Sequence, residues 1–207
     1  MSRIGRLNKH LTGIIGYTLL FLFIDFLYQQ QNISHPIRVQ WNIHYPQELS
    51  YMERICTLIL YLSCLLPALT YVLNPFDILL TTRLVRQKRK KVYFELWLVC
   101  LVKTLIPLVV KMGIDSIVFK TALDLQMLDV YLHVLLILLA LTAISVNLYF
   151  LKVKHNYIYL MPIVLISIYL FVRKDIDFYP YDGMISLLVL LLNGIGMIYL
   201  IKKYEHI

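Results

Sequence analysis

Four side chains with ionisable groups sit inside or beside long apolar runs: Asp25, Lys103, Asp129 and His133. A charge in hydrocarbon is costly, and such residues mark pathways, relays or subunit contacts. Each also has a plainer use. Asp25 is close to the end of its run, where a carboxylate can reach lipid headgroups. Lys103 is about midway along its run and pairs, snorkels or lines a pathway. Asp129 and His133 are four residues apart, on one helical face, which suits a local hydrogen bond or a proton relay. Asn193 and Gly196, with Gly194, lie in the last apolar run, where small residues permit close helix contact and hence a dimer interface.

Other chemistries lack their residues. Cys56, Cys64 and Cys100 are an odd number of thiols within apolar runs and form no C-x-x-C, so they read as packing residues. No phosphate-binding G-x-x-x-x-G-K-[ST] loop occurs, and neither does H-E-x-x-H or G-x-S-x-G. Ser63, Ser145, Ser167 and Ser186 read as backbone-bonding or helix-packing residues. The chain is therefore expected to hold no cofactor or metal of its own and to catalyse no reaction by itself.

The elements that position these residues are membrane spans. Hydrophobic residues make up 60% of the 207 and charged residues 15%, far from the soluble norm of about 25% charged. The expected fold is an all-α integral membrane protein, one transmembrane domain over residues 1–207, with six spans near 11–28, 55–73, 92–110, 130–150, 157–172 and 184–201. Pro67, Pro107 and Pro162 lie inside three of them, and Pro67 is expected to kink its helix. Residues 29–54 form a polar connector carrying Trp41, Tyr45 and Tyr51, whose rings suit the interface. Residues 111–129 read as another connector, an amphipathic or re-entrant piece in which Asp115, Lys120 and Asp124 break any spanning run.

Orientation follows from the stretch 74–95. Arg83, Arg86, Lys88, Arg89, Lys90 and Lys91 fall within nine residues with no acid among them. Loops rich in Lys and Arg stay on the cytoplasmic side, which puts both termini inside as well. On that topology 13 of the 20 Lys and Arg are inside and six outside, while eight of the 12 acids are outside. The net charge of +8 is thus topogenic and attracts anionic headgroups; nucleic acid is not implied. Leu79, Leu80, Leu84 and Val85 precede or interleave with the charges, as in a short amphipathic helix on the inner surface.

This layout, with the passage from Asp77 through Arg83, Leu84, Arg86, Lys88 and Arg89 to Trp97, resembles the permease subunit of an ABC-2 type transporter. In that family the segment between spans two and three is a coupling helix docked into a separate ATP-binding subunit. The resemblance implies that Asp77, Arg83, Leu84, Arg86, Lys88 and Arg89 contact such a partner, that ATP is held there, and that a second permease, identical or different, completes the transporter. The connectors of 26 and 11 residues after spans one and five are short, as in the compact permeases found with bacteriocin or peptide export and immunity systems. A different reading is a non-transporting accessory, immunity or sensory protein that binds a partner through the same basic loop.

Overall fold

The computed structural model describes residues 3–31, 33, 35–43, 49–73, 89–121, 125–151, 154–172 and 182–204. Seven helices account for nearly all of these: α1 (Arg3–Gln30), α2 (Pro36–Trp41), α3 (Tyr51–Leu73), α4 (Arg89–Val118), α5 (Leu125–Phe150), α6 (His155–Val172) and α7 (Asp182–Tyr204). There is no strand among the described residues.

Four of the helices contain stretches long and apolar enough to cross a bilayer: Gly13–Gln30, Tyr51–Tyr71, Lys91–Val118 and Leu125–Phe150. Two shorter apolar stretches, Asn156–Phe171 and Met184–Gly196, follow in α6 and α7. This is a helical membrane protein. All six apolar runs read from the sequence fall within helices, but the helices outrun them. The largest difference is in α4, which does not stop at Val110. It continues to Val118 and carries Lys111 and Asp115 within it. The expected connector over 111–129 shrinks to the residues between Val118 and Leu125.

Helix ends follow local chemistry. At the start of α3, the Ser50 amide donates to Glu53 Oε2 at 2.6 Å and the Glu53 amide to Ser50 Oγ at 3.3 Å. This S-x-x-E capping box satisfies two amides that the first turn leaves free. Helix α2 begins with Pro36, whose missing amide costs nothing there, and ends at Asn42 in the left-handed region with φ 52°. The Ile43 amide donates to the Arg38 carbonyl and the Asn42 amide to the Val39 carbonyl, the paired bonds of a Schellman motif. Mid-span hydroxyls bond back to their own helices, with Ser63 donating to the Ile59 carbonyl, Ser145 to Leu141 and Ser167 to Ile163. That is the backbone-bonding role expected of them.

Helix α4 packs against α3, α1 and α5, and α5 packs in turn against α6 and α7. One cluster of buried apolar residues joins α1, α2, α3, α4, α5 and α6 around Phe21, Trp41, Tyr61, Leu108 and Val134. A smaller one, built on Ala68, Val92, Leu96, Cys100, Val146 and Ile158, closes the opposite end of α3, α4 and α5. The three cysteines are free thiols, two of them buried among apolar neighbours.

Candidate functional site: a buried ionic cluster

Helical periodicity puts the polar residues where they meet. On α1, Phe21, Ile24, Asp25 and Tyr28 are all buried, spaced three and four apart along one face. On α4, the buried stripe is Thr104, Leu108, Lys111 and Asp115, again at intervals of four and three. On α5 the stripe includes Met127, Tyr131, Val134 and Leu138. Asp25, Lys111 and Asp115 therefore lie on the same buried helix faces as apolar core residues.

Lys111 is the centre. Its side chain is fully buried, as are those of Asp25 and Asp115. Nζ donates to Asp25 Oδ1 at 2.5 Å and to Gln40 Oε1 at 2.8 Å, and it also donates to Asp115 Oδ1. Gln40 Nε2 donates to Asp25 Oδ1 at 2.8 Å, and the Tyr131 hydroxyl donates to Asp115 Oδ2. All three ammonium hydrogens are thereby used, one on each of three partners. Both oxygens of Asp115 accept, whereas Asp25 Oδ2 has no hydrogen-bond partner among the described residues.

Helix α2 roofs this cluster. Gln40 faces inward, and the fully buried Trp41 lies edge-on to Tyr61 of α3 at 5.3 Å and to Tyr131 at 6.0 Å between ring centroids. The Tyr61 hydroxyl donates to the Trp41 carbonyl at 3.2 Å, so the roof is fastened to α3 as well. At the same end Arg54 of α3 stands over the Phe171 ring of α6 at 5.9 Å. The segment 36–41, expected as part of a polar connector, is a short helix inserted into the bundle. Its aromatic residue packs inside instead of at an interface.

The other candidates stand apart. Asp25 does not reach toward headgroups as one expectation had it; it is enclosed and ion-paired. Lys103 is half-buried two turns before Lys111 and is outside the cluster. His133 Nδ1 lies 2.9 Å from the Asp129 carbonyl oxygen and 3.4 Å from Asp129 Oδ1, the local contact that their spacing allowed. Asn193 of α7 accepts from Asn147 Nδ2 of α5 at 2.8 Å, so it serves an internal contact. Gly196 is exposed, and a Cβ added there would meet nothing within 4 Å. Asp77, Arg83, Leu84, Arg86 and Lys88 lie outside the described residues, and Arg89 opens α4. No group of three or more His, Cys, Asp or Glu suited to a metal ion occurs among the described residues.

Lys111, Asp115, Gln40 and Tyr131 were not singled out by sequence reasoning. A signal was present: Lys111 and Asp115 are an i, i+4 pair continuing the Thr104–Leu108 stripe. A half-open apolar pocket of about 320 Å³ lies between α3, α5, α6 and α7, lined by Tyr61, Leu141, Ile166, Tyr169 and Ser186.

Comparison of the chain with protein-family models, with curated proteins and with solved structures finds no match.

Proposed function

We propose that this chain is the membrane-spanning subunit of an ATP-driven exporter of the ABC-2 type, with six spans and both termini cytoplasmic. It couples a separate ATP-binding subunit to export of a peptide, lipid or other amphiphile. The supporting observation is the continuity of α4. This single helix starts at Arg89, in the basic stretch, and runs for 30 residues to the ionic cluster at its far end. At 1.5 Å per residue it is a rod about 45 Å long, enough to cross the bilayer and carry a push delivered at its start.

On this orientation the ends of α1 and α4, the starts of α3 and α5, and the α2 roof are on the outer side. A partner docking at Arg83, Arg86, Lys88 and Arg89 would move α4, and through Lys111 the helices α1, α2 and α5 move with it. A chain with no nucleotide-binding loop must receive that force from elsewhere.

Affinity purification of the tagged protein in mild detergent, with an ATPase assay and mass spectrometry, tests this. An ATP-binding subunit recovered with activity, and lost on changing Arg83 and Arg86 to Glu, is the expected result. An ATPase-free preparation that persists across detergents and after crosslinking supports the second reading, an immunity or accessory protein acting by partner binding. One observation favours that alternative: the ionic cluster is sealed, and the 320 Å³ pocket is lined almost wholly by apolar side chains.

A further inference from the structure

We infer that the Asp25–Lys111–Asp115 cluster is a proton-binding site, in which the two carboxyl groups around one ammonium hold a single proton between them at neutral pH. The inference does not depend on the transporter reading.

Charge counting leads to it. Two carboxylates and one ammonium sum to −1, and all three side chains are fully buried. Among the described residues, no second cation pairs with either carboxylate. Among the described residues, the groups facing the cluster are Gln40 of α2, Cys64 of α3 in electrostatic range of Lys111, and Tyr131 of α5, and none of these supplies positive charge. An uncompensated charge in a dry interior is strongly disfavoured even after relaxation. Binding one proton removes that charge, as in carboxylate pairs elsewhere that share a site.

Hydrogen bonding is uneven across the two carboxyl groups. Asp115 accepts on both oxygens, from Lys111 and from Tyr131. Asp25 accepts twice on Oδ1 and not at all on Oδ2. The proton belongs to the pair of carboxyl groups as a unit, and Asp25 Oδ2 is the cluster oxygen left without a donor among the described residues. The proton is bound and released as such; no bond between heavy atoms changes. Tyr131 and Gln40 fix the carboxyl groups, and the Trp41 roof keeps water away.

Infrared spectroscopy of the full-length protein in lipid nanodiscs at neutral pH tests the site. A protonated carboxylic acid has a carbonyl stretch well separated from carboxylate and amide bands, and it shifts in D2O. The wild type should show one such band. Asp25→Asn should abolish it, because the remaining Asp115–Lys111 pair is already neutral, and Asp115→Asn should abolish it for the same reason. Circular dichroism and elution volume establish that each variant is folded. Absence of the band in the wild type overturns the proposal, and so does its persistence in both folded variants. Absence of the band together with stabilisation by sodium over choline assigns the compensating charge to a metal ion and likewise overturns it.

Discussion

With its ammonium enclosed by Asp25, Gln40 and Asp115, Lys111 is the side chain whose removal leaves the most unpaired charge behind. Lys111→Met keeps the stem but strands two carboxyl groups, and breaking a buried ion pair this way costs about 3–5 kcal/mol. Thermal unfolding in detergent should show Lys111→Met as far less stable than Asp25→Asn, which leaves a neutral pair. Tyr131→Phe removes the donor to Asp115 Oδ2 and should cost about 1.5–3 kcal/mol, the range for a hydrogen bond to a charged group. Sequence alone marked Asp25 because a carboxylate in an apolar run is conspicuous. It did not mark Lys111, because two charges four residues apart end a hydropathy run, and the run was cut at Val110. Inside the bundle the same two charges neutralise each other and keep the helix going.

At the scale of elements, α2 is the least expected and the most tightly specified. Its end depends on Asn42 holding φ 52°, a conformation open to Asn and Gly but strained for branched residues. Asn42→Gly should leave thermal stability nearly unchanged, whereas Asn42→Val should lower it by about 1 kcal/mol or more, since the left-handed region penalises ordinary side chains by about 1–2 kcal/mol. Ser50→Ala breaks the α3 capping box and should cost about 1 kcal/mol in the same assay. The long helices were legible because twenty or so apolar residues in a row admit few other structures. Helix α2 was not: six residues carry no periodic signal, and it is held by Trp41 against Tyr61 and Tyr131, contacts with residues 20 and 90 positions away.

For the whole molecule, the proposed topology makes a direct prediction. Tyr51 is 69% exposed at the start of α3, and Lys202 is near the end of α7. With the termini inside, Tyr51→Cys should react with a membrane-impermeant thiol reagent in intact cells, and Lys202→Cys only after the membrane is opened. The reverse pattern would invert the orientation and with it the cytoplasmic placing of the basic stretch. Gly196→Leu meets open space within the chain, so its folding should be unaffected. Any change it makes to oligomeric mass after crosslinking reads out a contact between subunits through α7.

The distance along the chain between Asp25 and Lys111 has a bearing on how the protein is made. The two are 86 residues apart, yet their side chains meet in the buried cluster. During synthesis α1 emerges first, and at roughly 5–20 residues per second its aspartate waits about 4–17 s before Lys111 exists. For that interval Asp25 is a lone acid in a newborn segment of modest hydropathy, better suited to lingering at the insertion machinery than to entering lipid alone. Release of α1 into the bilayer is then timed by the arrival of α4, and a ribosome stalled before residue 111 should leave the first helix crosslinked to its insertase.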